Sequence, residues 1–486
     1  YLHAPSYYMK KFLPFIILLS LGCGGTNNKI VNQNPDDLRR LTILYTNDEH
    51  GWMLREGQNG GAAQLMNTWI EEEGYVEDGP FLILSGGDMW TGPAISTWFK
   101  GESMVDVMNS MNYDAAAIGN HEFDFNQLTL LERSQQANFP LLSSNMRSES
   151  SGEIVNPALP YIIKTVNDIS VGIIGLTATE ADDINFPENV AGIDFIDYQD
   201  VLYEIVPQIK SEGAELIIIV GHICSFEITS LVPLAKELGI ALIGGGHCHE
   251  TVSKIQNGIG VMEGGSYLSA YAKAEIDFDI ITNTVVDIDV STHNNTGLTK
   301  NSVVDSVISI WQGQMDSELS QVIGYVAQNI SSNSDAMYNL ITDAWLWSYP
   351  NVDIAITNTG GIRADMPPGD ITFETWVGIL PFENFLYVID ITGEQLIQNI
   401  PYYVIGGMTT IPEIMLIDGT PIHPDSVYSV LVTDYIYSTS EYFQTADPDP
   451  LDTSIHWRQP VIDWIQSLNT NIDDPLDNYL DYEPRQ

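Results

Sequence analysis

Leu41-Thr42-Ile43-Leu44-Tyr45-Thr46-Asn47-Asp48-Glu49-His50-Gly51 is an apolar run that breaks into acids, an amide, a histidine and a glycine. The apolar part fits a strand buried on both faces, and the polar part is a loop at its carboxyl end. The same sequence of events recurs along the chain. Phe81–Leu84 runs into Gly86-Gly87-Asp88, Ala115–Ile118 into Gly119-Asn120-His121-Glu122-Phe123-Asp124, Leu216–Val220 into Gly221-His222, and Ala241–Ile243 into Gly244-Gly245-Gly246-His247-Cys248-His249. Val171–Leu176 is a further strand candidate. Helical patterns at Gln64–Glu73, Glu102–Asn112, Asn126–Asn138, Val201–Ser211 and Ile228–Leu238 fall between strands. Strands alternating with helices predict a layered α/β domain, whose ligands sit beyond the strand carboxyl ends.

Five of the nine histidines, His50, His121, His222, His247 and His249, lie in these loops. Strand ends in one sheet converge on one edge, so the loops can meet. Imidazole and carboxylate donors together suit two divalent ions, zinc or manganese, and the lack of a cysteine cluster argues against a structural zinc. Asp88 can bridge both ions. Asp48 and His50 can chelate one from the same side of an extended segment, and Asn120, His222 and His247 can serve the other. An Asp-x-His pair alone is commonplace in loops; five such loops in order, each after an apolar strand, are not. Two ions so placed polarise a phosphoryl group and clamp the attacking and leaving oxygens.

Charge narrows the partners. Eighteen Lys and Arg stand against 65 Asp and Glu, a net −47. Such a surface repels nucleic-acid polymers, and a phosphorylated small molecule needs a local cationic site. The excess also strains the fold by self-repulsion, which suits salty surroundings. The three cysteines, Cys23, Cys224 and Cys248, cannot build a disulfide framework. Cys224 and Cys248 read first as small core residues, with a disulfide or extra metal ligands as alternatives.

The amino-terminal region reads as an export signal. Met9-Lys10-Lys11 precedes an apolar run, Phe12 to Leu21, too short to span a bilayer, and Leu21-Gly22-Cys23 follows. Residues 1–40 are thus expected to be leader, signal peptide and tether. The Gly-Cys ending resembles a bacterial lipoprotein signal, which implies lipidation of Cys23, possible membrane anchoring, and a periplasmic or cell-surface location.

Residues 41–300 are read as the metal-bearing domain and 301–328 as a linker built on a helix over Val303–Val322. Residues 329–486 form a second α+β region with strands at Val352–Thr357, Phe385–Ile391 and Tyr428–Thr433. In it, Asn358-Thr359-Gly360-Gly361-Ile362-Arg363 sets an amide and a guanidinium across a glycine turn, able to grip phosphate or ribose oxygens. Phe382, in Leu380-Pro381-Phe382-Glu383-Asn384, can stack on a base.

Thr42 to Gly51, Gly119 to Asp124 and Gly245 to His249 together resemble the metallophosphoesterase superfamily, specifically its 5′-nucleotidase branch, over about Leu41 to Phe443. The resemblance implies a layered αββα domain followed by a smaller α+β substrate-binding domain. It implies one ion on Asp48, His50, Asp88 and His249, and a second on Asp88, Asn120, His222 and His247. It casts His121 as the group that stabilises charge on the phosphoryl or protonates the leaving group, with Asp124 orienting it. Asn358 and Arg363 would bind the substrate, and Phe382 and Tyr435 would sandwich its base. Rotation of the second domain about the linker would bring substrate to the metals. Two departures stand out. Thr439-Ser440-Glu441-Tyr442 replaces the family's Gly-Gly-Asp-Gly turn, with Glu441 in the place of the ribose-binding acid, and Ser331 to Asp335 lack the usual phosphate-binding Arg. The expected function is a dimetal 5′-nucleotidase acting outside the cytoplasm. The alternatives are a cyclic-nucleotide phosphodiesterase or nucleotide-sugar hydrolase of the same family, a sulfur-oxidation hydrolase with the same metal loops, and an inactive metal-binding surface lipoprotein.

Overall fold

The computed structural model describes residues 37–400 and 403–486. Cys23 and the Phe12–Leu21 run lie outside the described residues. No helix among the described residues is long and apolar enough to cross a membrane.

Two six-stranded sheets form the centre of the first domain. One runs Thr284–Asn294, Ala270–Asp279, Leu38–Thr46, Phe81–Ser85, Ala115–Ala117, Leu141–Leu142. The other runs Thr251–Gln256, Ile259–Gly264, Ile240–Gly244, Leu216–Gly221, Ile169–Leu176, Tyr161–Val166. Neighbours are parallel in the middle of each sheet, with Thr42–Thr46 in register with Phe81–Ser85 and Val171–Leu176 with Leu216–Gly221. Antiparallel pairs close both edges of the second sheet and one edge of the first, whose other edge, Leu141–Leu142, is parallel to its neighbour.

Side chains alternate across a strand, and that alternation builds the layers. Leu41, Ile43 and Tyr45 point between the sheets and meet Val171, Ile173, Ile218 and Val220 there. Leu44, Ile83 and Ala116 point outward and are covered by Ala62–Glu71, Glu102–Ser110 and Ser302–Leu319. On the far side Ile174, Ile217, Ile219 and Ile243 are covered by Tyr198–Ser211 and Ser225–Leu238. Both faces of each central strand are therefore dry, which is why they read as unbroken apolar runs. Full burial of each such side chain contributes about 1.5–3 kcal/mol. The result is an αββα sandwich.

The connecting helix spans Ser302–Leu319, capped by the Asn301 side chain, which accepts from the amides of Val303 and Val304. Val304, Ile308, Trp311, Met315 and Leu319 lie in one stripe and belong to the first domain's core. The helix stops short of the expected Val322. Val322–Val326 is instead an extended, mostly β-branched segment paired with Gly369–Thr372.

The second domain is a five-stranded sheet in the order Val404–Gly406, Ile354–Thr357, Val427–Thr433, Phe385–Thr392, Leu451–His456. Helices Asp335–Ser348 and Gln459–Leu468 pack on one face through Leu340, Ile341, Trp345, Val461 and Ile465. The other face holds Ile356, Ile389, Val430 and Val432 against Leu396, Ile436 and Phe443.

Candidate dimetal site

The five loops read from the sequence all leave carboxyl ends of central strands, three from one sheet and two from the other. Their backbone is unusual. Asp48, His50, Asp88, His247 and His249 have φ of 51°, 46°, 58°, 73° and 56°, a region that costs an L-residue about 1–3 kcal/mol each. The turns aim all five side chains at one point.

Asp88 is the hub. Its Oδ2 lies 3.0 Å from His222 Nε2 and 3.8 Å from His50 Nε2, and its Oδ1 accepts from the His121 amide at 2.8 Å. On one side His50 Nε2 is 3.2 Å from His249 Nε2, which is 3.5 Å from Asp48 Oδ1. On the other, His222 Nε2 is 3.1 Å from both Asn120 Oδ1 and His247 Nδ1. Asp48, His50 and His249 offer ligand atoms within 4.8 Å of one another, and so do Asp88, His222 and His247.

The donor chemistry calls for cations. His50 Nδ1 faces the Thr91 carbonyl at 2.8 Å and His222 Nδ1 the Gly86 carbonyl at 2.9 Å. A carbonyl only accepts, so each Nδ1 carries the proton and each Nε2 presents a lone pair inward. Buried lone pairs and carboxylates gathered this closely repel unless positive charge lies among them. A proton on Nε2 can stand in for that positive charge at His222: burial would lower the imidazole, yet Asp88, by charge and hydrogen bond, and Asp48 hold it up at about 10. Burial drives Asp48 up to about 7, against the pull of His222. The donors present fit two divalent ions sharing Asp88.

His121 begins a single 3-10 turn, His121–Phe123. Its Nδ1 lies 2.8 Å from Asp124 Oδ2. Burial alone would lower His121; Asp124 and Asp88 outweigh it and raise the imidazole above its ordinary value.

Several supports had escaped sequence reading. The Glu122 carboxylate accepts from the amides of Asp88, Met89 and Gly119 at 2.9, 2.7 and 2.6 Å, joining two ligand loops. Asn47 donates to Asp48 Oδ2 and to the Gly265 carbonyl and accepts from the Gly264 amide, each at 2.6 Å. Glu180 Oε1 stands 3.6 Å from His247 Nε2. Glu122 and Asn47 lay inside the quoted stretches, and Glu180 follows the strand ending at Leu176, so position relative to a strand end was the available signal. Cys224 and Cys248 form a disulfide, Cα to Cα 5.2 Å, and are not separate core residues. The bond ties the loop of His222 to that of His247 and His249.

The second domain reaches this site. The Phe382 ring stacks on His121 with centroids 5.9 Å apart and planes 24° apart. The Arg363 guanidinium lies 6.0 Å from the Phe382 centroid and lines a chamber with His50. Tyr435 donates its hydroxyl to the Ile184 carbonyl at 3.0 Å, so it spans from the second domain to the first. Asn358 is half-buried at the end of the strand Ile354–Thr357. Glu441 is exposed at the start of helix Glu441–Ala446, whose cap is Ser440.

Two family profiles match the chain: calcineurin-like phosphoesterase over residues 41–251, and the 5′-nucleotidase C-terminal domain over residues 319–401. A 5′-nucleotidase of Vibrio parahaemolyticus is 26% identical over 447 residues, covering 80% of this chain and 79% of that protein. Protein UshA of Escherichia coli is 28% identical over 421 residues, covering 75% of this chain and 76% of that one. The crystal structure of a 5′-nucleotidase precursor from Thermus thermophilus superposes with a TM-score of 0.75 at 21% identity, over 92% of this chain and 99% of that one, a likeness of fold. With both profiles in tandem and relatives matched over three quarters or more of both chains, the chain belongs to the 5′-nucleotidase branch of the metallophosphoesterases and is a hydrolase of that family.

Proposed function

We propose that the chain is a 5′-nucleotidase that releases phosphate from nucleotides outside the cytoplasm. The observation that carries this reading is the convergence of two ligand groups on Asp88, with His121 and Asp124 beside them and Arg363 and Phe382 brought over them.

Asp48, His50, Asp88 and His249 would hold one ion, and Asp88, Asn120, His222 and His247 the other; the mixed imidazole and carboxylate set suits zinc or manganese. Bound there, two such ions supply Lewis acidity and a nucleophile at neutral pH. The chain's own groups do the rest. Arg363, which forms no ion pair with a carboxylate among the described residues, offers a fork to phosphate oxygens. Asp124 holds the His121 Nδ1 proton, which turns Nε2 toward the site. His121 Nε2 then passes a proton to the departing ester oxygen. Asn358, Phe382 and Tyr435 are assigned to the nucleoside, Tyr435 after release of its bond to Ile184. Export through the Phe12–Leu21 signal and lipid anchoring through Cys23 belong to the same reading.

The test is phosphate release from AMP, UDP-glucose, a cyclic nucleotide and an aryl phosphate with manganese, zinc or cobalt. AMP is expected to be preferred. Activity on the cyclic or aryl ester alone would keep the dimetal chemistry and discard the nucleotide assignment. No activity with any metal would leave a binding protein. Changing His121 to Ala is expected to lower kcat about 10²–10⁴-fold with metal content unchanged; undiminished kcat would remove His121 from proton transfer.

A further inference from the structure

A chamber of about 340 Å³ adjoins the ligand cluster on the His50 side, walled by Trp52, Glu56, Thr91 and Tyr267 of the first domain and Arg363 and Glu374 of the second. Phe382, Tyr435 and His121, the residues of the nucleoside side, do not line it.

Tyr267 is a bulky residue at φ 57°, a costly conformation for an aromatic. Two backbone bonds hold it there: its amide donates to the Asp48 carbonyl at 2.7 Å, and its carbonyl accepts from the Gly60 amide at 2.6 Å. The strain sets its ring edge-on to His50 and His249, at 5.5 and 5.2 Å, and 5.6 Å from Trp52. An aromatic corner thus stands directly behind two ligands. Thr91, also lining the chamber, has a buried hydroxyl with no hydrogen-bond partner.

The charges on the chamber walls are not balanced. Glu56, exposed, and Glu374, half-buried, come from different domains, and neither carboxylate makes a hydrogen bond or ion pair among the described residues. Burial raises both, and Asp316 and then Glu56 add to the rise at Glu374. Asp365, on the same wall, is satisfied by the Ser332 amide and the Asn329 side chain. Arg363 is the one Lys or Arg among the lining residues. Aromatic rings beside carboxylates without ion-pair partners, one of them half-buried, favour a small organic cation. An ammonium can also donate to the idle Thr91 hydroxyl. Phosphate belongs at the opposite end, between Arg363 and the ligand cluster.

We propose that the chamber binds the ammonium end of phosphorylated amino alcohols, making these monoesters a second substrate class for the dimetal site assigned under the proposed function. Hydrolysis breaks the P–O ester bond, joins a water oxygen to phosphorus and passes one water proton to the departing alkoxide, freeing the amino alcohol and phosphate.

The experiment compares 2-aminoethyl phosphate with propyl phosphate, of equal length but without the ammonium, as substrates of the metal-loaded protein. The expected KM is about tenfold lower for the amino ester, as a partly desolvated cation–π contact implies. That ratio is expected to fall toward one in Glu374→Gln, and in Glu56→Gln as a second variant. Calorimetric titration of both esters into metal-free protein gives a readout independent of turnover, with tighter binding of the amino ester expected. Equal KM values, equal Kd values, or a ratio untouched by both variants would overturn the proposal. Discrimination without AMP hydrolysis would instead sink the nucleotide reading and leave this one standing.

Discussion

Asp88 is held from behind by Glu122, whose two oxygens take three amide protons from the loops that carry Asp88 and Asn120. Glu122 is fully buried, and burial together with Asp88 pushes it up to about 7. Its substitution by Ala strands three buried N–H groups, each worth about 1–3 kcal/mol. The expected result is a loss of about 3 kcal/mol in unfolding free energy together with reduced metal content. Denaturant unfolding and elemental analysis check this; a loss below about 1 kcal/mol with full metal occupancy would show the loops hold themselves. At this scale the donors were legible because carboxylates and imidazoles after apolar runs form a pattern. Glu180 was not, being one acid among 65 whose single mark is its place shortly after the strand ending at Leu176. Tyr267 was not either, since positive φ in a non-glycine residue depends on backbone partners such as Asp48 and Gly60, distant in sequence.

Among elements, the central strands were readable because burial on both faces leaves them uniformly apolar. The end of the linking helix was not. The apolar spacing of Val303–Val322 continues past Leu319, and only pairing with Gly369–Thr372 turns Val322–Val326 into a strand. The disulfide was obscured differently: Cys224 and Cys248 sit on loops of separate strands, and their 5.2 Å approach follows from the register of Leu216–Gly221 beside Ile240–Gly244. That bond closes a loop of 24 residues, so removing it by Cys224→Ser with Cys248→Ser is expected to cost about 3 kcal/mol. Because the bond braces His222 against His247, the variant is also expected to retain fewer than two metals per chain after dialysis. Full retention would mean the loops need no brace.

For the molecule as a whole, charge is the dominant physical fact. Acids even face one another across the hairpin, Asp277 opposite Asp287, and Arg40 meets Asp277 with two bonds of 2.8 Å. With 18 basic residues for 65 acidic ones, most repulsion goes unanswered. Raising salt from about 0.1 M to about 1 M shortens the Debye length from about 10 Å to about 3 Å. The melting temperature is therefore expected to rise by several degrees in sodium chloride, and a flat or falling profile would remove the salt-adaptation reading. Composition announced this property; the meeting of the two domains over one site it did not, since that depends on how finished surfaces approach.

The ring of Phe382 resting on His121 bears on timing. At 5.9 Å between centroids, no purine slides between the two rings. If the rotation that the family resemblance implies takes place, substrate enters on that side while the second domain stands away, and raising solvent viscosity is expected to slow turnover without touching bond-breaking; a kcat independent of viscosity would rule such gating out.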